Sequence, residues 1–241
     1  MLIRQVVILV GGKGTRLGSI TAETPKPLLP IQDDKRFLDF LLERLVARGF
    51  LDIILVAGHL GERVRERYSG LRIGAASVSV IVEPEPAGTG GALRHAEGRL
   101  SDVFVLMNGD SLFDFDAQAL ATVLRADDAG ALALRQVEDG RRFGTVRTAN
   151  ERVLEFTEKD ASRTGLATIS GGVYLLRRSV LDEIEALPCS IETDIFPKLA
   201  ARGLLACQVF DGYFIDIGLP DTLDQARREI PALTPVSNLT F

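Results

Sequence analysis

The N-terminal half alternates short β-branched runs with helical ones, and this alternation restricts the fold most. Residues 3–10 form an apolar run closed by Gly11-Gly12, which reads as a buried strand. Residues 37–48 carry Phe37, Leu38, Leu41, Leu42, Leu45 and Val46 at helical spacing, and Gly49 follows as a cap. Residues 52–57 read as the next strand, 61–68 as a short charged helix and 78–82 as a third strand. A helix over 91–99 and a strand over 103–107 complete the series. Strands that alternate with helices require crossover connections, so this half predicts a parallel sheet flanked by helices.

The second half has more strand character. Residues 131–137, 145–148, 152–157, 172–176 and 204–210 read as strands, whereas 179–186, 193–202 and about 221–228 read as helices. The tail after Ile230 is apolar, broken by proline and unassigned. Asp114 reads as a turn residue and Asp116 as a helix start. No repeat, low-complexity tract or linker interrupts the chain, so its 241 residues fit one large α/β domain.

Composition removes several classes of function. The 28 Lys and Arg against 33 Asp and Glu give a net charge of −5, which excludes a general polyanion binder but leaves room for a small basic pocket. Cys189 and Cys207 are too few for a disulfide framework or a cysteine zinc site. His59 and His95 cannot make a histidine-rich metal site, and both read as surface or structural residues. Any metal would rest on carboxylates, which favours a hard cation such as Mg²⁺. No apolar run approaches the roughly 18 residues of a membrane span. Residues 1–5 lead straight into the first strand without a signal-peptide layout, so the expected location is the cytoplasm, with no nucleic-acid or membrane partner.

The most informative segment is Gly11-Gly12-Lys13-Gly14-Thr15-Arg16-Leu17-Gly18, followed by Thr24-Pro25-Lys26-Pro27-Leu28-Leu29-Pro30. Glycines after a first strand let backbone N–H groups approach an anion, and Arg16 and Lys26 add positive charge. A Walker loop is excluded, because Gly14 follows Lys13 where Ser or Thr is needed. The dinucleotide fingerprint also fails, because Leu17 stands at its third glycine. Taken alone, the glycines also read as a plain tight turn.

The whole string resembles the signature of sugar-1-phosphate nucleotidyltransferases. The resemblance implies a single Rossmann-like nucleotidyltransferase domain over 1–241, with a mixed, mostly parallel central sheet flanked by helices. It implies a nucleotide half over about 1–110 and a sugar half over about 111–230. Leu9, Gly11, Gly12, Gly14, Thr15, Arg16 and Lys26 would then hold a nucleoside triphosphate.

Further motifs follow in the family's order. Residues 83–93, from Glu83 through Gly88-Thr89-Gly90-Gly91, resemble the segment beside the base. Glu83 could accept from the N1–H and N2–H₂ edge of guanine, or be a solvent-exposed acid before a proline. Asn108-Gly109-Asp110 ends a strand, where ligands of α/β sheets bind. The resemblance makes Gly109 a nucleotide contact and Asp110 a metal ligand; the plain reading of Asp110 is a turn. Phe143-Gly144, Glu158-Lys159 and Gly171-Gly172 resemble the sugar-phosphate site, with Ser170 where the family carries Asn. Asp216, within residues 214–220, resembles the second metal ligand. These motifs imply Arg16, Lys26, Asp110, Lys159 and Asp216 as catalytic and Mg²⁺ as cofactor.

Within the family, residues 37–42, 88–92 and 190–197 are most similar to the guanylyltransferases of D-glycero-D-manno-heptose 1-phosphate. This favours GTP, and it adds Glu192 to the sugar site, although residues 190–194 also read as a helix N-cap with acids in its first turn. A uridylyl- or thymidylyltransferase acting on another sugar 1-phosphate, and a non-catalytic sugar-nucleotide sensor, stay open. The expected assembly is a monomer or small homo-oligomer.

Overall fold

Strand β1 (Gln5–Leu9) alternates Val6 and Ile8 on one face with Val7 on the other, and all three are fully buried. Such a strand needs cover on both sides, as helices around a parallel sheet provide. The structure, a computed structural model, describes residues 2–160, 162 and 164–233. After β1 come a hairpin of β2 (Pro30–Gln32) and β3 (Lys35–Arg36), then helix α1 (Phe37–Ala47). Next are β4 (Asp52–Ala57), α2 (Gly61–Tyr68), β5 (Arg72–Ile73), β6 (Ala76–Val82), α3 (Gly88–Ala96) and β7 (Val103–Asn108). The second half holds β8 (Ser111–Phe113), α4 (Ala117–Thr122), β9 (Gly130–Val137), β10 (Thr145–Ala149) and β11 (Arg152–Thr157). It ends with β12 (Ala167–Arg177), α5 (Phe196–Ala201), β13 (Leu205–Val209), β14 (Phe214–Asp216) and α6 (Pro220–Glu229).

One continuous sheet runs β10-β11-β13-β9-β12-β7-β1-β4-β6-β5. The pairs β7–β1, β1–β4 and β4–β6 are parallel, as the alternation predicts. Beyond β7 only β13–β9 is parallel, and the other pairings are antiparallel. The sheet is therefore mixed, with its parallel character concentrated in the first half rather than prevailing throughout. Phe37, Leu38, Leu41 and Leu42 of α1 join Val6 and Ile8 in the core on one face, and Leu93, Phe104 and Phe196 join Val7 on the other. Each such side chain contributes about 1.5–3 kcal/mol of burial.

Several boundaries differ from the sequence reading. Residues 172–176 are only the end of the longer β12, whose register against β9 shifts between Ser170 and Val173. Gly172 sits there at φ +69, and an added Cβ would lie 2.9 Å from Asn108 Nδ2. The expected helix over 179–186 is a short 3₁₀ turn, Arg178–Glu183, and Pro188 follows. The helix expected over 193–202 divides into a π-type turn, Ile191–Ile195, and α5. Pro197, near the start of α5, cannot donate to the ladder, which accounts for the change of register. Asp116 does start a helix: its Oδ1 accepts the Gln118 and Ala119 N–H groups at 2.8 and 3.1 Å. Asp114 is not merely a turn residue, because it pairs with Arg44 at 2.5 Å and Arg48 at 3.0 Å. Most of the tail after Ile230, residues 234–241, lies outside the described residues.

Candidate active site

The parallel strands end toward a cleft with two chambers. The first, of about 630 Å³, is lined by Leu9, Gly11, Gly12, Lys13, Glu83, Gly88 and Thr89 among others. The second, of about 570 Å³, is lined by Arg16, Arg142, Gly144, Glu158, Lys159, Gly172 and Asp216 among others. Lys26, Asn108, Asp110 and Glu192 line both.

The glycine loop is shaped by its own backbone. Gly14 and Gly18 both take positive φ, and Thr21 Oγ1 donates to the Gly14 carbonyl at 3.0 Å. Arg16 and Thr15 are exposed, and Leu17 is buried as the loop's anchor. Gly14 and Thr15 line neither chamber, and Arg16 faces the second rather than the first. Gly109 also lines neither; its N–H donates to the Leu9 carbonyl at 2.9 Å and holds β7 to β1.

Asp110 and Asp216 come together although 106 positions separate them. Strand β14 pairs with β8 so that Asp216 lies opposite Ser111, and the Ile217 N–H donates to the Asp110 carbonyl at 2.9 Å. Lys26, only 8% exposed, donates from Nζ to Asp110 Oδ2 at 2.5 Å. Gly218 separates this ammonium from Asp216: an added Cβ would lie 2.7 Å from Asp216 Oδ1 and 3.4 Å from Lys26 Nζ. Arg142 Nη2 reaches Asp216 Oδ2 at 3.4 Å, and its guanidinium lies 5.4 Å from the Phe143 ring centre. Each carboxylate thus carries a cationic partner.

Among the described residues, no three His, Cys, Asp or Glu side chains group to hold a metal. Two hard carboxylates fit a cation that takes the rest of its shell from phosphate oxygens and water, as Mg²⁺ does. Lys26 and Arg142 would have to yield part of their contacts to it.

Glu83 forms one wall of the first chamber. Its Oε2 lies close enough that an added Cβ on Gly11 or Gly58 would come within 2.9 or 2.7 Å. Its Oε1 is buried without a hydrogen-bond partner among the described residues. Burial raises the carboxyl above its ordinary range, and the nearby His95 pulls the other way. His95 Nε2 is likewise buried without a partner among the described residues. His59, read as surface or structural, is half-buried and lines the first chamber beside Gly58.

On the sugar side, Ser170 lies in the β12 bulge, where its Oγ accepts the Gly172 N–H at 3.2 Å. Tyr174 is buried, and burial together with Glu192 raises its phenol far above the usual range. Sequence reasoning missed Arg142, and it quoted Asn108 and Tyr174 only as members of motifs, without a role at the site. Arg142 directly precedes the recognised Phe143-Gly144, and Asn108 precedes Gly109-Asp110, so neighbourhood was the available signal.

Chambers that share a lysine and a carboxylate wall suit an α/β enzyme that brings two phosphorylated substrates together. Comparison defines the family. The model of the nucleotidyl transferase family matches residues 5–232, and the chain belongs to that family. It is 37% identical over 232 residues to the D-glycero-alpha-D-manno-heptose 1-phosphate guanylyltransferase of Aneurinibacillus thermoaerophilus, covering 94% of this chain and 98% of that one. The enzyme of that name from Campylobacter jejuni is 37% identical over 223 residues, covering 90% and 96%. The crystal structure of HddC from Yersinia pseudotuberculosis, complexed with GMP-PN, matches with a TM-score of 0.82 at 31% identity, covering 94% and 99%.

Proposed function

We propose that the protein transfers a guanylyl group from GTP to D-glycero-α-D-manno-heptose 1-phosphate in the cytoplasm, forming GDP-heptose and pyrophosphate for surface-glycan synthesis. The observation that carries this reading is the meeting of two chambers at Lys26, Asp110 and Glu192, with Asp216 at the same junction. Similarity to the heptose 1-phosphate guanylyltransferases supports the choice of sugar and base.

The chemistry follows from charge and position. A phosphate oxygen of the sugar 1-phosphate attacks the α-phosphorus of GTP. That P–O bond forms as the bond to the β-phosphate bridging oxygen breaks, and pyrophosphate leaves. The nucleophile is already anionic, so no general base is required. Catalysis then rests on alignment and charge neutralisation. Lys159 would hold the attacking phosphate, with Gly144, Glu158, Gly172 and Glu192 around the sugar. Lys26 and Arg16 would offset charge at the reaction centre and on the leaving group. Asp110 and Asp216 would hold Mg²⁺, which supplies charge neutralisation on the phosphates.

Glu83 favours guanine. Glu83 lines the first chamber, and a carboxylate there can accept from the guanine N1–H and N2–H₂ together. Uracil and thymine present one N–H between two carbonyl oxygens, which a carboxylate repels.

The test is a pyrophosphate-release panel crossing GTP, UTP, dTTP, CTP and ATP with heptose, mannose, glucose and N-acetylhexosamine 1-phosphates. Release is expected with GTP and heptose 1-phosphate. Release with UTP but not GTP would overturn the guanylyl reading, and release with no pair would favour a sugar-nucleotide sensor.

A further inference from the structure

Thr89 and Glu192 are 103 positions apart in the chain, yet Thr89 Oγ1 donates to Glu192 Oε2 at 2.6 Å. The same Thr89 oxygen accepts the Ile191 N–H at 2.8 Å. Backbone bonds seat this contact: the Gly90 N–H donates to the Cys189 carbonyl at 2.8 Å, and the Cys189 N–H to the Ala87 carbonyl at 2.9 Å. Gly88 permits the close approach, since an added Cβ would lie 2.3 Å from Cys189 O. Ser190 Oγ is a further 3.3 Å partner of Glu192 Oε2, and the buried Tyr174 phenol lies near this carboxylate.

A hydroxyl has a single proton to donate. Thr89 spends it on Glu192, so its side chain has none left for a nucleotide. Glu192, in turn, borders both chambers, as Asp110 does. Resting on the reaction proposed above, we infer that Thr89 is a positioning residue for the sugar. It fixes the Glu192 carboxylate where sugar hydroxyls can donate to it, and so helps set which sugar 1-phosphate is accepted. This reassigns the Thr89 side chain, which the family resemblance places with the nucleotide.

Thr89→Val keeps the volume and deletes the hydroxyl, whereas Thr89→Ser restores it. A hydrogen bond to a charged group corresponds to about a ten- to hundredfold effect. In Thr89→Val, kcat/KM for heptose 1-phosphate should fall by about that factor, while KM for GTP stays within about twofold. Discrimination between heptose and mannose 1-phosphates should narrow, and Thr89→Ser should recover most of the loss. In a Glu192→Gln background, Thr89→Val should add less than about a threefold further loss, because the two act as a unit. A rise in KM for GTP alone would return Thr89 to the nucleotide site. Additive losses, or a uniform loss that tracks a fall in Tm and that serine fails to rescue, would reduce it to a structural contact. An unchanged Thr89→Val enzyme overturns this inference alone; an inactive wild type overturns it together with the proposed reaction.

Discussion

Replacing Asp110 with Asn separates the chemistry of the junction from its stability. The side chain of Lys26 is 10% exposed and that of Asp110 39%, so their 2.5 Å contact is half-sheltered. A hydrogen bond to a charged group is worth about 1.5–3 kcal/mol. Asparagine can still accept from the charged Lys26 through its carbonyl oxygen, so the substitution removes only the ion-pair part of the contact and should cost about 1 kcal/mol, limited by the water that reaches Asp110. For a chain of this size that is a fall in Tm of about 2–5 °C. The effect on rate should be far larger. Losing one preorganised electrostatic group costs about a hundred- to a thousandfold, and Asp110 also orients Lys26. The expected kcat is therefore about a thousandfold below wild type in pyrophosphate release, with Tm read by calorimetry. A variant within tenfold of wild-type kcat would refute the role given to Asp110. A fall in Tm well beyond about 10 °C would refute the claim that the contact is catalytic rather than structural.

Three further outcomes follow from the same geometry. Gly88→Ala, at φ +76 with a backbone oxygen 2.3 Å from the new Cβ, should destabilise the protein and displace residues 187–192. The left-handed conformation alone costs about 1–2 kcal/mol, so denaturant melts should register about 2–4 kcal/mol once the overlap is added. Glu83→Gln should raise Tm above neutral pH and weaken GTP binding in titration calorimetry. A carboxyl whose folded pKa is raised by burial penalises the folded state once it ionises, so the stabilising effect of glutamine should fade as pH falls through that range. Mn²⁺ binding by the free protein, followed by electron paramagnetic resonance, should be weak and should strengthen with a non-hydrolysable GTP analogue, because Lys26 and Arg142 already occupy the two carboxylates. Tight binding without nucleotide would contradict that assignment.

The parallel half was legible because each element carries a long, regular signal. The predicted limits at 52–57 and 61–68 coincide with β4 and α2, where apolar spacing and flanking turns agree. What could not be read were structures made by pairing rather than by periodicity. Strands β8 and β14 have three residues each, too few to show a pattern, yet their pairing sets Asp216 beside Asp110. The sequence reading starts strand β12 only at Gly172, whereas the strand runs through both glycines from Ala167. The bulge uses those glycines differently: an added Cβ on Gly171 would lie 2.2 Å from the Phe113 ring, and one on Gly172 would meet Asn108. The site residues came from motifs, but their partners did not. No local pattern links Lys26 to Asp110, Arg142 to Asp216 or Thr89 to Glu192.

Those partnerships also resolve the charge problem of an acidic chain that handles anions. The net charge of −5 gives no attraction at a distance, so binding has to be local. At the junction each candidate metal carboxylate is already matched by a cation: Asp110 by Lys26, Asp216 by Arg142. A triphosphate arriving with its divalent ion can exchange these pairs rather than create new charge. Asp110 and Asp216 would hold the ion, and the Lys26 ammonium and Arg142 guanidinium, once freed, would face phosphate oxygens. Each charge has a partner before and after the exchange, which limits the desolvation cost that an uncompensated buried charge would impose. On this view Lys26 and Arg142 belong to the same device as the aspartates. The second half of the chain would then supply Arg142 and Asp216 to the reaction centre, in addition to any role in holding the sugar.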